Sequence, residues 1–268
     1  MKKITVFILF ATIQMFAQQH FPGKRPELLI GKEVTVVPTI ESAALKGQPY
    51  FYSDRKTLQT YLPSSARSSY TDPAIEGKKF KVTSVEPVVE NSRPYMYLSL
   101  EAEDKSTLYY KYSPTMAEFS YPFEVTGGLT VPADFYCDFV EKNIFGTITA
   151  YDANVGIGMK LSKRISDGKT SYTLHITTFI ESEGKTARGA VLVLENNKKI
   201  ATNPDLPIVP TYQSGKSYKY MHGFELSPKD VELLKSNKVL GLRLLDKVVP
   251  ITTGVKIQGV LSCMTKLN

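Results

Sequence analysis

Tryptophan is absent from the 268-residue chain, cysteine occurs twice and histidine three times. The familiar catalytic signatures are missing as well: no HExxH for zinc, no GxSxG for a serine nucleophile, no GxxxxGK[ST] for a phosphate. No DxDxDG run marks a calcium loop. "GIGMKL" from Gly156 has two of the three glycines of a dinucleotide loop and precedes no helical pattern, so it reads as a strand feature. Nothing in the sequence asks for a cofactor or a metal. The lack of tryptophan weighs against a glycan platform.

Long apolar runs are scarce too, with one exception. The chain opens "MKKITVFILFATIQMFAQQHFPG", two lysines followed by an apolar run from Ile4 to Ala17 and then polar residues. This is the pattern of a secretory signal peptide, residues 1–17, with cleavage expected after Ala17. The run is shorter than the roughly 20 residues that span a bilayer, and no second run of membrane length follows. No cysteine follows the cut directly, which opposes a lipid anchor. The chain is therefore expected to be exported, to the periplasm, the cell surface or the medium.

The formal charge is +7. Basic residues come in pairs such as Lys163-Arg164 and Lys198-Lys199 with acids nearby, which suits a solvated face and not a nucleic-acid track. Export would let Cys137 and Cys263 form a disulfide and keep it. Read as strands, however, "FYCDF" places Cys137 with Phe135 and Phe139, and "VKIQGVLSC" places Cys263 with Val255, Ile257 and Leu261. Those apolar faces favour two buried thiols over a bridge, and they oppose cysteine catalysis.

Apolar and polar residues alternate along most of the chain, while helical periodicity is nearly absent. Strands are expected at "KEVTVV", "KKFKVTSVEPVV", "MYLSLEA", "TLYYKY", "IFGTITAY", "GIGMKLSK", "TSYTLHITTFI", "GAVLVLE", "KSYKYMHGFEL", "KVLGLRLL" and "VKIQGVLSC". Turn residues separate them at Glu103-Asp104, Asp167-Gly168, Glu183-Gly184 and Asn196-Asn197. The fold class is mainly β. One short helix interrupts it at "LSPKDVELLKSN": Ser227 is an N-cap, Pro228 fits the first turn, Asp230 completes a capping box, and Asn237 can end the helix in a left-handed turn.

Two domains are expected, 18–145 and 146–268, divided within residues 142–150. Residues 39–77 keep no strand register for long, yet "PYFY" and "LQTYL" carry apolar surface. They read as an excursion folded back on the first domain, with a short helix at 56–61, and as the first place to seek a recognition loop.

The tyrosine-rich stretch "YMYLSLEAEDKSTLYYKY" allows a closer reading. Alternation puts Met96, Leu98 and Leu100 on one face, joined by Tyr110 and Tyr112 from the next strand. Tyr95, Tyr97 and Tyr109 then share the other face with Ser99, Glu101 and Lys111. Such a face is either cross-strand packing or a binding surface, since a ring with a polar tip suits an interface. Tyr95, Tyr97 and Tyr109, with Tyr50 and Tyr52 of the excursion, are the candidate binding residues. The partner would be an envelope protein or a glycan.

The histidines say less. His20 stands beside the cleavage site, His175 shares a face with Thr173 and Thr177, and His222 lies with Tyr218, Tyr220 and Phe224, which suits a core histidine better than a general base. Asp134, Asp138 and Asp152 are close along the chain, and two acids brought together by a fold can hydrolyse a glycoside.

"YKYMHGFELSPKDVELLKSNKVLGLRLLDK" resembles the C-terminal portion of uncharacterised exported β proteins of Gram-negative bacteria, in which a strand, an LSPxDxxLL helix and a KVxxLRL strand follow one another. "GKKFKV" through "LYYKY" resembles the small SH3-like barrels attached to them. The resemblance implies export, an SH3-like first domain and a β-sandwich-like second one with a single short helix. It carries no functional residue across. The reading is a non-enzymatic binding or structural protein of the cell envelope, with a secreted, glycosidase-like hydrolase as the alternative.

Overall fold

The computed structural model describes residues 19–37, 51–57, 59–60, 75–115 and 118–268. The expected signal peptide lies outside them. The chain divides into two units, Met1–Val131 and Pro132–Asn268, and both are mainly β.

The first unit contains β1 (Glu33–Val36), β2 (Phe51–Asp54), β3 (Gln59–Thr60), β4 (Lys79–Glu90), β5 (Arg93–Glu101), β6 (Thr107–Tyr112) and β7 (Phe123–Val125). They form one antiparallel sheet in the order β3-β2-β6-β5-β4-β1-β7. The β4–β5 hairpin turns on Asn91 and Ser92, both with positive φ (49° and 62°), the twist that a two-residue hairpin requires. β6 and β7 stand four strand intervals apart in this order, about 19 Å in a flat sheet at 4.8 Å per strand. Yet the rings of Tyr110 on β6 and Phe123 on β7 lie 4.9 Å apart, and Phe51 on β2 is 5.9 Å from Phe123. The sheet is therefore rolled into a half-barrel around its own aromatic core. The alternation on β6 is as read, with Leu108, Tyr110 and Tyr112 buried.

Residues next to the expected cleavage site are built into this unit. The Val125 amide donates to His20 Nδ1 at 3.0 Å, the Leu129 amide to the Gln19 carbonyl at 2.7 Å, and the Tyr112 hydroxyl to the Gly23 carbonyl. Phe21 packs on Tyr112 and Tyr121. Within the excursion, 51–54 and 59–60 are strands and 55–57 a turn, so the described residues of 56–61 do not form the expected helix. The aromatic pair at 51–52 lies on β2, between β6 and the edge strand β3.

The second unit contains β8 (Glu141–Phe145), β9 (Ile148–Gly156), β10 (Met159–Ser166), β11 (Lys169–Glu181), β12 (Ala187–Arg188), β13 (Ala190–Leu194), β14 (Lys199–Ala201), β15 (Pro207–Ile208), β16 (Tyr212–Ser214), β17 (Ser217–Leu226), α1 (Pro228–Ser236), β18 (Val239–Leu244), β19 (Lys247–Pro250) and α2 (Gly254–Met264). A six-stranded sheet, β16-β17-β11-β10-β9-β8, and a four-stranded sheet, β14-β13-β18-β19, are accompanied by a separate pair, β12-β15. One core unites Val155, Leu161, Leu174, Phe224, Leu192 and Leu242 from the two large sheets with Leu234 of α1 and Ile257 and Leu261 of α2. The unit boundary falls at Val131/Pro132 and not within 142–150, because those residues are paired strands of the second unit.

α1 is capped as read: Ser227 Oγ accepts from the Asp230 amide at 3.2 Å while Asp230 Oδ2 accepts from the Ser227 amide at 3.0 Å. Asn237 ends it differently. Its backbone is extended, φ −140°, and its side-chain amide donates to the Leu233 carbonyl at 2.8 Å, so the side chain does what a left-handed turn would have done.

Two expected strands are helical. "FYCDF" is one 3-10 turn, Phe135–Phe139, and "VKIQGVLSC" belongs to α2. Short apolar runs permit either period, and Ile257, Val260, Leu261 and Met264, all buried, follow the i, i+3, i+4, i+7 spacing of a helix face. The second domain thus has two α-helices where one was expected. Cys137 and Cys263 meet through these elements, with Cα atoms 5.4 Å apart, and form a disulfide. The preference for two free thiols is overturned: once both segments are helical, the cysteines face each other, and the small side of α2 at Gly259 lets the ring of Tyr136 approach.

Lys163 shows how tightly α2 is held. It is 4% exposed, and its Nζ donates to the Met264 carbonyl at 3.0 Å and to the Leu267 carbonyl. The cation caps the negative end of the helix, between the rings of Tyr151 and Tyr172.

Candidate functional site

In the first unit the sheet register assembles the tyrosine face. Tyr52 stands opposite Tyr109, Tyr109 opposite Ser99, and Lys111 opposite Tyr97. On the other side of β5, Glu86 is opposite Tyr97 and Val88 opposite Tyr95. Four of the five candidate tyrosines, Tyr52, Tyr95, Tyr97 and Tyr109, therefore come together. Tyr50 lies outside the described residues.

Their exposures differ from the expected pattern. Tyr97 is buried at 4%. Its ring meets that of Tyr52 edge-on at 5.9 Å and its hydroxyl donates to Glu90 Oε1 at 2.8 Å. Glu90 in turn takes Lys111 through Oε2, and Lys111 Nζ lies 4.1 Å from the centre of the Tyr95 ring. Arg55 pairs with Glu86 and stands 5.9 Å from the Tyr109 ring. Ser84 and Ser99 close the row at 2.8 Å. Tyr95 and Tyr109 remain half-buried.

The electrostatics follow from these contacts. The Lys111 hydrogen bond, helped by Tyr97, holds the Glu90 carboxyl below its usual range against the cost of burial. Burial, then the Glu90 carboxylate, pushes the Tyr97 phenol well above its ordinary value, and burial moves Tyr52 the same way. The face is thus locked: a neutral, buried Tyr97, an ionised Glu90 and two cations resting beside the two accessible rings. Glu86 and Glu90 were not singled out in the sequence, although their even spacing in "VEPVVE" puts both on one strand face and could have found them; nothing in the sequence marked Arg55.

The second unit has an open groove of about 720 Å³ lined by Glu181, Glu183, Lys185, Lys216, Tyr218 and Asp246 among others. Its wall is the turn after β11. Gly184 there has φ +72°, and a Cβ on it would stand 3.1 Å from the Tyr218 ring. Tyr220 fixes the same turn, donating to the Lys185 carbonyl at 2.8 Å and meeting Ser182 Oγ at 2.9 Å. Glu183 and Lys185 pair at 2.8 Å, which holds the carboxyl low and the ammonium high. The groove therefore offers both charge signs to water.

The acids singled out in the sequence do not line it. Asp152 accepts from Ser162 Oγ at 2.6 Å and pairs with Lys160 at 3.2 Å; Asp134 and Asp138 belong to the 3-10 turn around Cys137. His222 is packed edge-on to Phe224 at 5.1 Å, with Nε2 buried and unbonded. Among the described residues no three His, Cys, Asp or Glu side chains cluster as metal ligands, and no helix is long and apolar enough to cross a membrane.

No family model, curated protein or solved structure matches the chain.

Proposed function

We propose that this is an exported binding protein of the cell envelope that recognises a partner protein through the tyrosine face of its first unit. The observation that carries the reading is the interlocked set Tyr52, Arg55, Glu86, Glu90, Tyr97 and Lys111, which holds Tyr95 and Tyr109 in place on a sheet face. A surface whose side chains are already ordered loses little entropy on binding, and tyrosine and arginine are the residues that dominate interface energies. Arg55 and Lys111 rest beside the Tyr109 and Tyr95 rings and disfavour sugar stacking on them, while their ion pairs with Glu86 and Glu90 leave the set balanced in charge. Export is supported by the leader-like opening and by a disulfide that an oxidising compartment would maintain.

The test is capture from a native envelope fraction by the immobilised chain, against a Tyr95→Ser/Tyr109→Ser control. A partner retained by the first and lost by the second supports the reading; equal retention refutes it. Tyr97 stays untouched in the control because it is a buried, hydrogen-bonded packing residue.

The second reading, a hydrolase working through two carboxylates, rests on the groove, where Glu181, Glu183 and Asp246 face one volume. It predicts glycoside cleavage that Glu181→Gln abolishes.

A further inference from the structure

The geometry points to a lipid-docking tip at the β8–β9 hairpin of the second unit, which inserts into the interfacial layer of an anionic bilayer. Ile144 and Phe145 are 67% and 65% exposed and Ile148 is 38% exposed, although all three are in paired strands. Their register decides what can cover them. Phe145 is opposite Ile148 on the last rung and Ile144 is opposite Thr149 on the one before, so successive rungs carry apolar groups to opposite faces of the ribbon. Gly146 closes the turn with φ +59° and open space around it. The hairpin end is a wedge, apolar on both sides, that one flat protein surface would cover on one side only. A bilayer surrounds whatever enters it.

Depth and charge agree. Two rungs span about 7 Å, within the 5–10 Å to which interfacial elements penetrate. The strands behind the tip carry exposed Lys142, and Arg164 beyond Ala150, while β11 opens with Lys169 opposite Ser166. Over the four rungs nearest the tip these three cations stand against Asp167 alone, and Glu141, Asp152 and Glu225 begin only on the fifth, which suits anionic headgroups.

The chain's lack of tryptophan supplies a local test. Phe145→Trp places a single indole at the tip of the full chain, so that binding by any other segment, the leader included, leaves it silent. The probe is vesicles of phosphatidylglycerol and phosphatidylcholine in equal parts. The expected result is a blue shift of emission, quenching by acyl-brominated lipid, and partition weakened about tenfold or more when Ile144→Ser and Ile148→Ser are added. Ile148→Trp repeats the measurement if the first reporter perturbs the turn. Emission unchanged by vesicles overturns the inference, as does a shift that grows with protein concentration alone, which would assign the tip to a second copy of the chain. A shift abolished by salt and unmoved by the serine variants also overturns it, leaving surface charge alone.

Discussion

The ring of Tyr136 lies where a side chain on Gly259 would begin: a Cβ at Gly259 would sit 2.1 Å from Tyr136 Cδ2. Glycine inside a helix ordinarily costs about 1 kcal/mol against alanine, so its presence in α2 marks a contact worth more than that. The contact seats the 3-10 turn on the helix and brings Cys137 to Cys263. Gly259→Ala should therefore destabilise the second unit by about 1–3 kcal/mol, as overpacking does, despite the better helix former. Urea unfolding checks this, and a stabilised variant would show that the ring moves aside freely.

The disulfide closes a separation of 126 residues, nearly the whole second unit. In the chain-entropy account a loop of that size contributes about 4–5 kcal/mol, and measured losses run about 2–5 kcal/mol. Cys137→Ala/Cys263→Ala, or reductant on the native chain, should lower the unfolding midpoint of the second unit by a corresponding amount. A midpoint indifferent to reductant would mean the core alone carries the unit.

Replacing Lys163 by methionine keeps most of the apolar stem and removes the cation that donates to the Met264 and Leu267 carbonyls at the end of α2. Buried acceptors left unbonded cost about 1–3 kcal/mol. Faster amide exchange over α2 is expected with little change in β10, and uniform exchange in both would contradict the assignment.

Burial holds the His222 imidazole below the usual histidine range, and burial, then Lys160 and Arg164, does the same to His175. As pH falls through the ordinary histidine value, about 6.5, the unfolded chain takes up protons that the folded chain refuses. Stability therefore rises with pH across that range and is lost on acidification. The unfolding midpoint should be lower near pH 5 than near pH 7.5, with a smaller drop in His222→Phe. The same drop in the variant would place the effect elsewhere.

What the sequence disclosed followed local chemistry. Strand alternation placed Tyr110 and Tyr112 in the core, and the α1 capping box was visible as Ser227 and Asp230 because a cap is made by residues three apart. The failures came from contacts distant along the chain. "VKIQGVLSC" carries both a period of two and a helix face, and only packing under the two sheets decides between them. Cys137 and Cys263 could not be paired until both segments were helical. Tyr97 faces away from the barrel core, as alternation requires, yet Tyr52 from β2, two strands away in the sheet, covers it. The turn at Glu183-Gly184 was legible, but the groove beside it also needs Lys216 and Asp246 from turns distant along the chain, and no local pattern announces that meeting or the place of Arg55.

The most direct measurement is photocrosslinking in the intact envelope, with a photoreactive phenylalanine in place of Tyr109 and, in a separate chain, of Lys216 in the groove. The account predicts one defined protein adduct from position 109 and none of that mass from position 216. No adduct at 109, or the same adducts from both positions, would contradict recognition through the tyrosine face.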